Sequence, residues 1–559
     1  MKTKNIKKHK LANTYMLFIA FVILGFSSCT KNFEDFNTNN TGVSDEDLKA
    51  NGQDLEIFFR RAQMAIYNFS AGGDPNSYQV QQNLNADVFS GYFMSPTPFN
   101  SGQNNLNYSM VNGWNTEPFK VVYLDVLNSL NKLKNNGLEQ TYPALYGASL
   151  IVKVEAMSRA TDIYGPMPYS QIGGTGGIPY DSQEDIYNRF FLELDTAQSL
   201  LQAFVQNPNE EQVPQNINRA DLVYTGVDNT TRFQNWLRLA NSLRLRLALR
   251  IVKANGEKAR EEAEKALSST NGGLIETNSQ NFKITVPTDA NYSNPLFFIA
   301  KNWGDVRMNA SLESYMNGYN DPRISKYMDR ATDNVVGNVY KGIRVGAANL
   351  TKDDYIGYSN LNITDGSNPS FTATTAPMLM SAAEVYFLRA EAALRGWANA
   401  GGTPQSLYEQ GIQISFDQWG VSGANNYIND GTSKPSAYVD PKNAQNNAEA
   451  PTNVTIHWDN GANDEQKLER IITQKWLAIF PEGQEAWSEY RRTGYPRIFP
   501  VVVNNSGGLI DTRIQIRRLP FSQNEYNTNG AEVQRALQLL GGPDNGGTRL
   551  WWDRDRANF

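Results

Sequence analysis

The sequence predicts an all-α fold on three observations: helical patterning fills seven blocks, two of those blocks open on capping signals, and the segments between them are polar loops. The first block, Asp45 to about Phe69, spaces its apolar residues three and four apart. Helical patterning returns at Phe119 to Lys134, and again at Pro143 to Ile163, where Leu145, Ala148, Ile151, Val152, Glu155 and Ala156 share one side. In the next block, Ser182 with Asp185 three residues on forms a near capping box. The strongest signal is "NWLRLANSLRLRLALRIVKAN", in which Trp236, Leu239, Leu243, Leu247 and Ile251 lie on one face and four Arg alternate with them. That alternation predicts a helix with one buried face whose Arg heads satisfy carbonyls or carboxylates. Two further blocks run from Ala376 to Gly396, with Ser381 and Glu384 as its capping pair, and from Gln466 to Ala478.

Helix pairs of this size build solenoid repeats, yet no clean 34-residue period is present, so a repeat scaffold and an irregular helical domain both remain open. Three connecting segments are too long for mere connections: Ser70 to Thr116, Asn271 to Asp321 and Gly420 to Asp464. Their many aromatics argue against disorder and for function.

The amino end has the layout of a secretory signal. Five Lys and no acid precede an apolar run from Met16 to Phe26, which ends in Ser27, Ser28 and Cys29, the only cysteine. The run is too short to span a bilayer. A cysteine at the cleavage point resembles a bacterial lipobox, in which the thiol is acylated and becomes residue one. Phe26 and Leu24 depart from the usual aliphatic placement. The expected organisation is a signal peptide at 1–28, a lipid-anchored tether at 29–44 and a single domain at 45–559.

Removing residues 1–28 leaves 46 basic against 57 acidic side chains, a formal charge of −11. Nucleic acid and anionic membrane surfaces are poor partners for such a chain. One histidine, His457, and one anchored thiol remain, so neither a Cys/His nucleophile pair nor a thiolate or poly-His zinc site can be assembled. Catalysis would have to run on carboxylates. Glu485 and Glu489, four apart in "PEGQEAWSEYRR", are the visible pair, and Arg491, Arg492 and Arg497 nearby make ion pairing the expected role. Oxygen-rich runs at Asp228 and Asn320 lack the 12-residue spacing of an EF-hand, and no metal or cofactor is expected. The segment "DGTSKPSAYVDPKNAQNNAEAP" reads as an exposed loop.

The long loops supply what an oligosaccharide needs, flat rings for its apolar C–H faces and short polar groups for its hydroxyls. The first carries Asp87, Tyr92, Phe93, Tyr108, Trp114 and Asn115; the second carries Tyr292, Trp303, Asp305, Arg307, Tyr315 and Tyr319. Candidate ligand contacts are Trp114, Asn115, Tyr92, Asp87, Trp303, Asp305, Arg307 and Tyr319. Core packing is the competing role for every ring and weighs most on Tyr92 and Phe93. Trp114 and Trp303 stand between Gly and Asn residues, unlike a core helix.

Five segments carry a family resemblance: "CTKNFEDFNTNNTGVSDEDL", "MSRATDIYGPMPYSQ", "WLRLANSLRLRLALRI", "MLMSAAEVYFLRAEAALRGW" and "ITQKWLAIFPEGQEAWSEYRRTGYPRI". In order, and over nearly the whole chain, they resemble the SusD/RagB family of Bacteroidetes outer-membrane lipoproteins. The resemblance implies about four tetratricopeptide-like helix pairs as scaffold, with the ligand held among the two loop regions named above. It implies lipid attachment at the cell surface and a SusC-like TonB-dependent transporter as partner. The cargo would be an oligosaccharide, or a peptide in some branches, with no turnover. A carboxylate glycoside hydrolase and a scaffold that binds only protein are the competing classes.

Overall fold

The computed structural model describes residues 48–49, 52–68, 75–173, 177–289, 291–364 and 368–559. Cys29, the signal segment 1–28 and the tether 29–44 lie outside the described residues. The chain divides into two units, Met1–Asp54 and Leu55–Phe559. In the first, Gly52 N–H donates to the Lys49 carbonyl at 3.0 Å and closes a turn. The remaining description concerns the second.

Eight long helices form four consecutive pairs: α1 (Pro143–Tyr164) with α2 (Gln183–Gln206), α3 (Asn229–Arg250) with α4 (Gly256–Leu267), α5 (Ala382–Leu394) with α6 (Pro404–Trp419), and α7 (Asp464–Ala478) with α8 (Gly483–Thr493). This is the tetratricopeptide-like scaffold. Side-chain caps start most of them. Ser182 accepts from Asp185 N–H at 3.1 Å and Ser381 from Glu384 N–H at 3.2 Å, as the sequence predicts. Asp228 accepts from Thr231 N–H at 2.9 Å, so the oxygen-rich run there is the N-cap of α3.

The helix α3 packs against α1, α2, α4 and α5 and sits at the middle of the scaffold. Contrary to the one-faced helix expected, it is buried on nearly every side, and its arginines are inside. Arg246 grips Glu384 of α5 with bonds of 2.7 and 2.8 Å and reaches Glu155 of α1 at 3.2 Å. Arg250 pairs with Glu485 at 2.5 Å, with Glu489, and with Asp162 of α1 at 3.3 Å. Lys475 of α7 joins Glu485 at 2.8 Å and Glu489 at 3.2 Å, and Arg492 of α8 binds Glu391 of α5 at 2.6 Å and Glu489 at 2.8 Å. None of these side chains is more than 6% exposed. The ionic lattice therefore crosses five of the eight helices in a region without water to screen it.

The lattice also fixes protonation. Burial pushes the Glu485 carboxyl up, but Arg250, Lys475 and Arg246 outweigh it and hold the group at about 2. Burial dominates at Glu155, where Arg246 and Arg159 compensate only partly, and its carboxyl stands at about 7. The expected ion pairing of Glu485 and Glu489 is present, and of the three arginines nearest in sequence only Arg492 takes part, through Glu489, beside the distant Arg250 and Lys475. Arg491 instead lies over the Trp487 ring at 3.6 Å, and Arg497 reaches Glu469 at 3.4 Å.

Between the pairs run the long segments, tied by two small antiparallel ladders: β1 (Phe93–Met94) with β3 (Arg307–Met308), and β2 (Phe282–Lys283) with β4 (Met378–Met380). The segment read as an exposed loop after α6 is partly internal. Tyr438 is 1% exposed against Phe499, and Asp440 accepts from the hydroxyls of Tyr355 and Tyr358 at 2.8 and 2.7 Å.

Removing one partner from a buried pair costs about 3–5 kcal/mol, whereas an exposed pair four residues apart on a helix is worth a few tenths. Arg250→Met is expected to lower the unfolding free energy by an amount in that larger range, seen as a lowered urea midpoint. Arg260→Met, which breaks the exposed 2.8 Å contact to Glu264, is expected to leave the midpoint almost unchanged. Comparable shifts in the two variants would contradict the central place given to α3.

Candidate binding surface

The two loop regions meet. β1 pairs with β3 in the register Phe93↔Met308 and Met94↔Arg307, and Asn309 extends the join by donating its N–H to the Tyr92 carbonyl at 3.0 Å. Above this ladder Asp305 collects three donors from separate segments: Thr97 Oγ1 at 2.5 Å, Gln79 Nε2 at 3.3 Å and Lys352 Nζ at 2.8 Å. Lys352 also donates to the Trp303 carbonyl at 2.8 Å and keeps 39% of its side chain exposed.

Aromatic rings stand on both segments that this node joins. Trp114 meets Phe99 edge to face, with centroids 5.7 Å apart at 82°, and Trp303 meets Phe298 at 5.5 Å and 85°. All four rings are half-buried. Phe99 follows Thr97 by two residues, and Trp303 precedes Asp305 by two. At a reach of about 3.5 Å per residue, the Phe99 and Trp303 backbones therefore lie within roughly 20 Å of each other.

The first loop holds its shape through its own amides. Asn100 and Ser101 are both left-handed, at φ 51° and 55°, a conformation that Asn tolerates better than most residues. Asn100 Nδ2 donates to the Gln103 carbonyl and Asn104 Nδ2 to the Phe99 carbonyl, each at 2.7 Å. The backbone on both sides of Phe99 is thus closed by side chains. Trp114 is not in a loop as its neighbours suggest: it lies in the first turn of a helix, Asn112–Val121. Pro118 interrupts the hydrogen-bond ladder of that helix, and the Tyr164 hydroxyl fills the gap. It accepts from Phe119 N–H at 3.1 Å and donates to the Asn115 carbonyl at 2.6 Å. On the opposite side, Gly304 is left-handed at φ +66°, and an added Cβ would stand 2.8 Å from Ile356 Cδ1. Only glycine turns the chain there without strain between Trp303 and Asp305.

The remaining candidates are internal. Tyr92 is fully buried, stacks on Trp476 at 5.3 Å and donates its hydroxyl to the Trp476 carbonyl. Tyr319 is 2% exposed and donates to the Val454 carbonyl at 3.0 Å. Asn115 is buried and accepts from Asn105 at 2.8 Å. Arg307, pulled down to about 10 by burial, clamps the Ile356 carbonyl from Nε at 2.8 Å. Asp87 is buried against the start of α8, where Gly483 leaves no room for a side chain. It accepts from Gln82 at 2.9 Å and lies 3.2 Å from the Tyr78 hydroxyl. These five side chains are committed to internal packing, and Asp305 is 7% exposed as well, which leaves Trp114 and Trp303 as the candidates that are half-open. Phe99, Phe298 and Lys352 belong to the same surface and were not singled out from the sequence. The Pro96-Thr-Pro98 run before Phe99, which stiffens its backbone, was the available signal for the first.

The class defined here is a tetratricopeptide-like helix-pair scaffold that carries half-buried aromatic rings on self-braced loops. The model of the SusD-like family, described as SusD and RagB outer membrane lipoproteins, matches residues 35–553, and the chain belongs to that family of surface-exposed outer-membrane lipoproteins. Among solved structures, a chitin-binding SusD homologue from Flavobacterium johnsoniae is 44% identical, covering 90% of this chain and 100% of its own with a TM-score of 0.83. A SusD homologue from Bacteroides vulgatus is 37% identical over 92% of this chain and 100% of its own, with a TM-score of 0.82. Another from Bacteroides uniformis is 37% identical over 90% and 99%, with a TM-score of 0.80. No curated protein matches the chain.

Burial raises the Asp87 carboxyl to about 7 against the bonds from Gln82 and Tyr78, so it is protonated in the folded protein and ionised in the unfolded chain between about pH 4 and 7. A folded pKa raised in this way gives a contribution that is complete below pH 4 and lost as pH rises through 7. Asp87→Asn is therefore expected to remove close to one proton taken up on folding at pH 5.5, about 1.4 kcal/mol per pH unit from the stability slope. Denaturant midpoints measured from pH 4.5 to 6.5 test this, and an unchanged slope refutes it.

Proposed function

We propose that the protein is anchored at the cell surface through Cys29, binds an oligosaccharide on the Trp114–Asp305–Trp303 surface, and passes it to a SusC-like TonB-dependent transporter. In this reading residues 1–28 are a signal peptide, 29–44 a tether and 45–559 the binding domain. The observation that carries the binding site is the pair of edge-to-face aromatic contacts on the two segments that the buried Asp305 joins, with the half-exposed Lys352 beside it. Each partner ring fixes the plane of its indole, so a sugar ring meets a surface whose orientation has already been set. Lys352, 39% exposed, keeps an ammonium N–H beyond its bonds to Asp305 and the Trp303 carbonyl, suited to the hydroxyls and amide carbonyls of a glycan. The 44% identity to a chitin-binding homologue makes oligomers of N-acetylglucosamine the first class of ligand to test.

Turnover forms no part of this reading. A glycosidase needs one carboxyl able to give a proton and a second within about 5–9.5 Å, both open to substrate. Glu485 and Glu489 are buried, and three cations hold each ionised. The transporter and the lipid are supported by family membership alone.

Truncating a tryptophan at the centre of a contact costs about 2 kcal/mol or more, roughly 30-fold in affinity. In calorimetric titrations of the soluble Cys29→Ala chain with chitin oligosaccharides, Trp303→Ala and Trp114→Ala should each weaken binding by at least that factor with folding intact. Unchanged affinity in both variants, or binding of peptides with no glycan bound, would overturn the assignment of site or of ligand class. In cells, Cys29→Ala should move the protein out of the membrane fraction, and retention there would remove Cys29 as the anchor.

A further inference from the structure

Away from the aromatic surface, the residues after α8 and the last residues of the chain enclose a cavity of about 800 Å³. Its walls carry eight cationic side chains and three acids; four of the cations, Arg492, Arg513, Arg517 and Arg549, are paired with carboxylates in or behind the wall. One of the acids, Glu465, already accepts from the Tyr495 hydroxyl at 2.8 Å and from Asn558 at 2.6 Å, and Asp555 pairs with Arg549 at 3.2 Å. Asp464, at the start of α7, is the third.

Several of the cations have no acid of their own. Lys253 is 8% exposed, and its one hydrogen bond goes to the Arg492 carbonyl at 3.2 Å, which leaves two ammonium N–H groups. Arg491 donates to the main-chain carbonyls of Asp162 and Arg517 and to the Ser488 hydroxyl, and to no carboxylate. Arg554 and Arg556 are exposed at the rim, and no carboxylate of the described residues lies within 4 Å of either. Around Arg246 and Arg250 the buried cations are matched by carboxylates, and Arg307 and Arg344 stand singly on main-chain carbonyls, whereas here several such cations line one cavity. A concave wall of like charge concentrates its field on whatever enters.

We propose that this cavity is an oxyanion-binding site whose ligand is a doubly charged group, a phosphate or sulfate. A single carboxylate or halide neutralises one of the unmatched cations and leaves the others facing each other. A dianion with three or more acceptor oxygens answers several at once through charge-assisted hydrogen bonds. The state of Lys253 agrees with this geometry. Burial outweighs the nearby Asp553 carboxylate and, with Arg492, Arg549 and Arg517 close by, pulls its ammonium down to about 8, and a bound dianion reverses that depression. The group could arrive as the free ion or as an ester on a sugar, and both share the same chemistry at the protein.

The test is a calorimetric titration of the Cys29→Ala chain at pH 7.5 and low ionic strength with inorganic phosphate and inorganic sulfate. Chloride at matched ionic strength serves as the blank, and N-acetylglucosamine 6-phosphate and 6-sulfate are run as ester arms. Saturable binding of phosphate or sulfate above the chloride blank is expected, at least tenfold weaker in Lys253→Gln and unchanged in Trp303→Ala. Esters tighter than the free ions assign the site to substituted sugars, and the reverse order assigns it to the ions; either supports the site. Because Lys253 is buried, the double variant of the exposed rim, Arg554→Gln with Arg556→Gln, gives a second reading without risk to the fold and should lose several-fold. No binding above chloride, or wild-type affinity in both variants, overturns the proposal.

Discussion

The scaffold depends on charge balance around α3. Burying Arg246 and Arg250 in the middle of a helical stack carries a desolvation cost that hydrophobic packing alone does not repay, so each must find its carboxylates in one geometry only. Those carboxylates come from α1, α5 and α8, which are far apart in sequence and which also bury apolar side chains. The lattice adds a directional requirement to that packing. A helix turned by one residue would leave a buried guanidinium without its partner. The registration of these helices about α3 thus satisfies an ionic constraint as well as the apolar periodicity.

The same constraint separates the two parts of the protein. Because the helices are registered internally, the segments between them are free to be long and polar. They are rigid for a different reason: asparagine amides close their turns, and two short ladders join them. The Tyr164 hydroxyl in the Pro118 gap is where the two systems touch, since it ties the helix that carries Trp114 to the end of α1. Asp87 does the same at the start of α8. Scaffold and surface are therefore coupled at a few buried polar points while most of the loop surface remains open to variation.

Much of the scaffold was legible in the sequence and much of the surface was not, for a physical reason. Helix periodicity and caps are local, so Ser182, Ser381 and the Arg-rich helix could be read directly. The alternation of Arg with Leu announced buried charge, but not that both faces of α3 would be covered, since this depends on neighbours up to 239 residues away in sequence. In the loops, Tyr92 and Trp114 look alike as aromatics among polar residues. Tyr92 differs only because its hydroxyl meets the Trp476 carbonyl 384 residues further on, a pairing with no local trace. The polar neighbours of Trp114 and Trp303 were an informative sign, because a ring flanked by glycine and asparagine has little apolar company to bury it. The Asp305 node was named from the sequence, whereas Lys352, from a segment outside both loop regions, was beyond reach.

Carboxylates in this protein are used as structure, and that bears on what it can do. Acid–base chemistry needs a group whose proton is both mobile and reachable. At Glu485 and Glu489 the surrounding cations remove the mobility, and at Glu155 and Asp87 burial restores a pKa near neutrality but removes the access. The proposed surface offers half-open rings and a half-exposed Lys352 whose contact with the buried Asp305 is already made. In the reading proposed above, a ligand there would be held by shape and by many weak contacts that can be released one at a time, which suits capture followed by transfer better than transformation.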